Sequence, residues 1–467
     1  MSSSASDAPR EFQGDWSMDL VWPEGLIEKS FDHSPFLPYD PHIGLYATEM
    51  GVAQPWHFTD WRDEGMSWKE SCYLHAGLNP TATIRITGPE ALDFLAANCV
   101  NSFANFPVGR GKHAIMCNDN GFVVAHGVLL RLGEEDFITY WLDPYITDRL
   151  EEGGYDAAAE DVTGKVFLFQ LAGPRSLEVL EAATAEDLHD IKFMGHRPSN
   201  VDGHEITVLR MGMGGTLAYE VHGPVESARA VYSAFMKAGE RFDIRRLGWG
   251  SYMLNHTENG FQQGEWHFVP APYDGSDNQD AVPGRRMIGS LGPDIRERYC
   301  SPVDLGWSKM IKFDHDFRGR SALEKQVANP EHTTVTLVWN ADDVVDVYAS
   351  QLRDEDPYQF MEMPHDLGYF YSSEGGYANK ADRVSRNGQK VGFSSGRVYS
   401  AHSREILSLA VVDVSCAKPG TEVTILWGEP GSRQKEIRAI TAPVPYLNLT
   451  PNKDFNVDSI PRPGSAS

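Results

Sequence analysis

The sequence is short of positive charge. Its 41 Lys and Arg stand against 66 Asp and Glu, a formal net charge of −25 in 467 residues. Such a field repels phosphate backbones and anionic lipid surfaces, so neither nucleic acid nor membrane is expected as a partner. No apolar run approaches the roughly 18 residues needed to span a bilayer, and the start Met-Ser-Ser-Ser-Ala-Ser-Asp lacks the basic and apolar regions of a signal peptide. The expected location is cytoplasmic. Cysteine is sparse: Cys72, Cys99, Cys117, Cys300 and Cys416 are odd in number, far apart and form no CxxC pair, which fits reduced thiols. There is no Walker A loop and no HExxH. The histidines, among them His57, His75, His113, His126, His256 and His267, follow no recurring metal spacing, so no metal is expected.

What is present is a soluble globular composition, 41% hydrophobic and 23% charged, long enough for two to four domains. The stretch 252–261, Tyr-Met-Leu-Asn-His-Thr-Glu-Asn-Gly-Phe, concentrates a phenol, an imidazole, two amides, a carboxylate and an aromatic ring. At helical spacing Tyr252, Asn255 and His256 share a face, and Asn259-Gly260 ends the helix before Phe261. This spacing can aim a proton donor and a carboxylate into one cleft; it equally describes an ordinary solvated helix end.

Thr83-Ile84-Arg85-Ile86-Thr87 alternates as a strand and Gly88-Pro89-Glu90 opens a helix at 91–97. The pattern recurs: a strand at 166–171, then Gly173-Pro174-Arg175 and a helix at 177–183, implying two related α+β subdomains. Asn118-Asp119-Asn120-Gly121 reads as a hairpin turn between strands at 113–117 and 122–131. A strand at 205–210 enters Gly212-Met213-Gly214-Gly215, which is not GxGxxG and has no parallel β-α-β context, so a dinucleotide site is not expected. Residues 270–298 read as a long loop, and long loops in compact domains are often functional. From 334 to about 446 the chain is β-rich, with turns at Arg386-Asn387-Gly388 and Lys418-Pro419-Gly420. Gly392-Phe393-Ser394-Ser395-Gly396 satisfies GxSxG, but no helix follows the serine, and a hairpin turn is the expectation. The domain reading is a flexible arm at 1–30, an α+β region of two subdomains at 31–330, a β-barrel at 331–450 and a tail at 451–467.

Several motifs together resemble the glycine-cleavage T-protein (aminomethyltransferase) superfamily, and within it the tetrahydrofolate-dependent aryl O-demethylases. They are Arg85-Ile86-Thr87-Gly88-Pro89-Glu90-Ala91-Leu92, Gln170-Leu171-Ala172-Gly173-Pro174, Tyr219-Glu220-Val221-His222-Gly223-Pro224, Tyr252 with Glu258-Asn259-Gly260, Lys312-Phe313-Asp314-His315-Asp316-Phe317-Arg318-Gly319-Arg320, Thr336-Leu337-Val338-Trp339-Asn340 and Leu426-Trp427-Gly428-Glu429. They run from about residue 40 to 447. The resemblance implies an α+β cloverleaf: two ferredoxin-like subdomains and a C-terminal β-barrel around a folate cavity. It implies tetrahydrofolate as cofactor, a small aromatic substrate from lignin catabolism, and methyl transfer that displaces a phenolate. By position, Glu220 matches the acid that binds the pterin edge, Gln170, Glu258 and Phe261 belong to the cofactor pocket, and Tyr252 and Tyr46 match tyrosines near the transferred methyl and the aromatic substrate.

The departures from the pattern bear on the reaction. His126 stands where T-proteins place a catalytic Asp, and His256 joins it as an acid–base candidate. Leu142 falls where demethylases place a carboxylate-gripping Arg, and Gly77 and Pro80 where they place polar residues, which suggests a larger or less charged aromatic ligand. The leading expectation is a tetrahydrofolate-dependent O-demethylase. The alternatives are a folate-independent lyase of the same fold, releasing formaldehyde from a phenylcoumaran-type dimer, and a non-catalytic folate binder. Oligomeric state is left open by the sequence.

Overall fold

Gly88 and Gly173, the glycines of the repeated strand–Gly-Pro–helix pattern, have nearly the same backbone, φ +125° and +128°. In a computed structural model of the protein each follows its strand directly, and a Cβ would strike the neighbouring chain, 2.6 Å from the Asp156 carbonyl at Gly88 and closer still to that of Ser71 at Gly173. Only glycine fits these turns. The structure describes residues 34–49, 52–142, 145–273, 286–365 and 378–463, with two short paired strands at Ser17–Met18 and Phe31–Asp32. The rest of the expected arm at 1–30, and 274–285 of the expected loop, lie outside the described residues.

The first repeat builds a five-stranded antiparallel sheet in the order Ala158–Asp161, Thr83–Thr87, Asp136–Tyr140, Val123–Gly133, Gly111–Cys117. Phe94 and Leu95 of the helix Ala91–Asn98 and Ile146 and Leu150 of Tyr145–Gly153 fill its core. At the hairpin turn the Asn118 carboxamide accepts from the Asn120 and Phe122 amides, and Gly121 takes φ +80°.

The second sheet has six strands, in the order His196–Val201, His204–Leu209, Ala218–Pro224, Val166–Ala172, Cys72–His75, Ile244–Leu247. Strand alternation sorts its side chains. Phe167, Phe169, Leu171, Tyr219, Val221, Cys72 and Leu74 pack under the helices Ser176–Thr184 and Ala228–Gly239. On the other face lie Leu168, Ala172, Ala218 and Tyr73, covered by Trp68 of the helix Trp61–Glu70 and by Tyr252, Met253 and Leu254 of the helix Trp249–Glu258.

The C-terminal region closes a six-stranded barrel: Ala378–Arg386, Gln389–Ser400, Glu405–Asp413, His332–Trp339, Lys435–Ala442 and Glu422–Trp427, the last pairing back to the first through Val384↔Ile425 and Ser385↔Thr424. The GxSxG serine is in mid-strand, not in the expected turn, where its Oγ donates to Ser408 Oγ at 2.8 Å. Residues 451–463, expected as a tail, pack on the second subdomain: the Arg210 guanidinium donates to the carbonyls of Asn452 and Phe455, and Val457 joins the core. Glu181, Asp187 and His189 bring metal-type donor atoms within 4.8 Å, the one such group among the described residues. There His189 Nδ1 bonds both carboxylates and Nε2 faces the Ile460 carbonyl, so the group pins the same segment. All five cysteines are buried and unpaired. No helix among the described residues is long and apolar enough to cross a membrane.

Candidate active site

Register explains how the polar face of the second sheet is assembled. Gln170 is the Cα partner of both Glu220 and His75, and Glu220 is also that of Leu209, so His75, Gln170 and Glu220 form one row across three strands. Tyr73 and His222, two residues along from His75 and Glu220, share the face. The Tyr73 hydroxyl donates to Gln170 Oε1 at 2.6 Å and accepts from Asn255 Nδ2 at 3.1 Å; Gln170 Nε2 reaches Glu220 Oε1 at 3.5 Å. Glu220 is 4% exposed, yet its Oε2 has no hydrogen bond, lying 3.4 Å from His222 Nε2 without forming one. Leaving a buried carboxylate oxygen unpaired costs about 1–3 kcal/mol, a cost that a ligand donor removes.

Every residue of the helix Trp249–Glu258 is buried, which excludes the solvated helix end. The Tyr252 ring stacks on His75 with centroids 4.1 Å apart and planes 4° from parallel, and meets His256 edge-on at 5.2 Å. Burial, reinforced by the Glu220 charge, pushes the Tyr252 phenol well above its ordinary range, so it remains a protonated donor. Burial drives His75 down to about 3 and His256 to about 4, keeping both imidazoles neutral. Their tautomers follow from their partners. His75 Nδ1 donates to the Leu247 carbonyl and His256 Nδ1 to that of Phe261, which leaves Nε2 of each a bare, buried acceptor.

His126 lies beyond His256, in a box of aromatic rings. Phe261 and Trp307 stack at 5.6 Å, and His126 sits 5.0 Å from Trp307, 6.2 Å from Phe261 and 5.8 Å from Phe268. His126, His113, Phe261 and Gly264 each keep some accessible surface, so the box is not sealed. His126 Nδ1 is 3.1 Å from His113 Nε2. Tyr252, His256, Phe261 and His126 follow one another in ring contact, and Tyr252 stacks on His75 of the row that holds Gln170 and Glu220.

Two further proposed site residues have partners of their own. Tyr46 is half-buried in a separate small pocket with Leu37, Tyr39 and Pro55, where its hydroxyl donates to the Asp40 carbonyl beside the Asp40–Arg246 ion pair. Glu258 is fully buried, and its Oε2 takes the Lys69 ammonium at 2.6 Å where the helices Trp61–Glu70 and Trp249–Glu258 meet. The inferred substrate space also needs correcting. A Cβ on Gly77 would lie 2.6 Å from His75 Cε1, so the missing side chain makes room for the imidazole. Leu142 is fully buried in the core of the first subdomain. Tyr73, His75, His222 and His113 were not singled out from sequence as parts of the site. The alternation in Cys72-Tyr73-Leu74-His75 carried the signal for two of them.

Comparison with known proteins shows the family. The GCVT N-terminal domain model matches residues 42–265. A protein named sesamin methylene transferase, from Sinomonas sp. (strain No.22), is 42% identical over 88% of this chain and 94% of its own length. This chain belongs to the GCVT aminomethyltransferase family. It is an enzyme of that family. Syringate O-demethylase of Sphingobium sp. (strain NBRC 103272 / SYK-6) is 31% identical over 84% of this chain and 89% of that protein. The solved aminomethyltransferase T of the glycine cleavage system from Bartonella henselae superimposes with a TM-score of 0.65 at 16% identity, covering 90% of this chain and 98% of that one, which shows the shared fold.

Proposed function

We propose that this enzyme transfers a one-carbon unit from oxygen on an aromatic ring, a methoxy or methylenedioxy carbon, to tetrahydrofolate. The observation that carries the reading is the unpaired, buried Glu220 Oε2 in a row with Gln170 and His75. A carboxylate there suits the paired N–H donors of an amino-pyrimidinone edge, and Gln170, held by Tyr73, supplies a carboxamide beside it. The names of the two relatives, one a methylene transferase and one an O-demethylase, support the same class of substrate carbon.

Tetrahydrofolate, when bound, supplies the amine that accepts the carbon. This chain's part is positioning and proton management. Tyr252, kept protonated by its buried surroundings, is the donor for oxygen leaving as phenolate. His256, kept neutral by burial and with a bare Nε2, is the acceptor for the proton released at the amine. Phe261 and Trp307 offer aromatic faces for the substrate ring. The lyase alternative keeps its acid–base candidates His126, His256 and Tyr252 and loses the room read at Gly77, which His75 fills.

The test is a panel of methoxylated and methylenedioxy aromatics, with and without tetrahydrofolate, followed for one-carbon folates and for free formaldehyde. Methyl- or methylene-tetrahydrofolate should appear only when folate is supplied. Formaldehyde released without folate would overturn the proposal in favour of the lyase.

A further inference from the structure

The His113–His126 pair is locked from both ends. A backbone N–H can only donate, and Gly264 N–H points at His126 Nε2 from 3.4 Å. Nε2 of the neutral ring is therefore bare and the hydrogen sits on Nδ1, which donates to His113 Nε2 at 3.1 Å. That in turn places the His113 hydrogen on Nδ1, and Nδ1 faces Met310 Sδ at 3.2 Å, a thioether that can only accept. The reverse orientation would set two donors against each other at Gly264 and two acceptors at Met310. Burial holds His113 at about 4 and His126 well below its ordinary value, so neither ring escapes the lock by taking a second proton. The titratable group facing the pair from the adjoining helix is His256, itself neutral with a bare Nε2. Phe261, Phe268 and Trp307 complete the surroundings without charge.

We propose that Met310 and His113 fix His126 as a hydrogen-bond acceptor only, so that the aromatic subsite favours rings bearing a free hydroxyl donor, takes neutral rings without one more weakly and rejects rings bearing a carboxylate. The 3.4 Å contact from Gly264 is long, and a phenolic O–H at ordinary distance is the better partner for Nε2. An ionised carboxylate is acceptor-only and meets bare nitrogens on His126 and His256. The inference deepens the proposed function by naming the substrate class, and rests on that reading for what the subsite holds. His113 is a positioning residue and His126 touches the ligand.

The lock is read directly by ¹⁵N NMR of the imidazoles in the intact wild-type protein, which needs no turnover. The expected pattern is Nδ1–H with a bare Nε2 on both rings; Nε2–H on His126 would overturn the lock. Subsite choice is read by equilibrium binding of guaiacol, veratrole and benzoate. Guaiacol should bind roughly tenfold tighter than veratrole, which lacks the hydroxyl, and benzoate weakest. Equal binding of guaiacol and veratrole, or a preference for benzoate, would overturn the subsite. Met310→Leu keeps the packing volume and removes the acceptor; it should shift the His126 tautomer populations and shrink the guaiacol preference, and an unchanged NMR pattern counts against the lock. If the one-carbon panel fails while tautomers and binding behave as stated, the proposed reaction is wrong and the subsite stands.

Discussion

Glu220→Gln should move stability and ligand affinity in opposite directions. In the free protein Glu220 Oε2 is buried and unpaired, a cost of about 1–3 kcal/mol, part of which a neutral carboxamide of the same shape avoids. We take a gain on the order of 1 kcal/mol. With an unfolding entropy of about 2 cal/mol/K per residue over 467 residues, that raises Tm by only about 1 °C, so the effect is better read from the urea midpoint. On the ligand side the carboxylate offers two charge-assisted acceptors, each worth about 1.5–3 kcal/mol, whereas the amide keeps one neutral acceptor and turns a donor toward a donor. The expected loss is about 2–4 kcal/mol, roughly 30- to 700-fold in Kd for tetrahydrofolate. Titration calorimetry and urea unfolding on the same preparation give both numbers. A variant that binds folate as well as wild type refutes the assignment of Glu220 to the cofactor. One that is less stable than wild type refutes the claim that its carboxylate awaits a partner.

Three further outcomes follow from the packing. Lys69→Met leaves Glu258 charged with no cation in a fully buried contact and should cost about 3–5 kcal/mol in chemical denaturation, largely restored by adding Glu258→Leu; a single variant as stable as wild type would show that the pair is dispensable. Gly77→Ala puts a methyl 2.6 Å from His75 Cε1, which should shift the imidazole off Tyr252 and lower kcat for every substrate, whereas a loss confined to bulky substrates would revive Gly77 as ligand space. Burial lowers His256 from 6.5 to about 4, so the native state resists protonation there: its contribution to stability is complete above pH 6.5 and drains away as pH falls toward 4, about 2 kcal/mol by pH 5. His256→Gln should flatten the stability profile between pH 7 and 5 by that amount, and an unchanged slope would mean the imidazole is already charged or exposed.

The outline of the fold was legible because local rules and tertiary structure agree in most of it. The strand at 83–87, the two Gly-Pro turns, the Asn-Gly hairpins and the β-rich C-terminal region are each set by side-chain period or by a backbone angle that few residues adopt. The threading of the chain was not legible. Cys72–His75 precedes the whole first subdomain, yet pairs with Val166–Ala172 and Ile244–Leu247 of the second sheet, because the register of a four-residue strand is decided by partners 95 and 172 residues away.

The same limit explains the division within the site. Gln170, Glu220 and Tyr252 could be proposed from the sequence because each lies in a motif whose position in the fold is fixed by its own strand or helix. Gly77 and Leu142 misled because an absent or apolar side chain was read as space, and space belongs to the neighbours: at Gly77 it is filled by His75, at Leu142 by the subdomain core. His126 shows the converse. As a lone imidazole in a strand it is either acid or base, and only the chain from Met310 through His113, three residues brought together from three separate segments, decides which nitrogen is bare. Chemical role at this position is therefore a property of the assembled network. A substitution at Met310, which touches no ligand, should alter it as surely as one at His126.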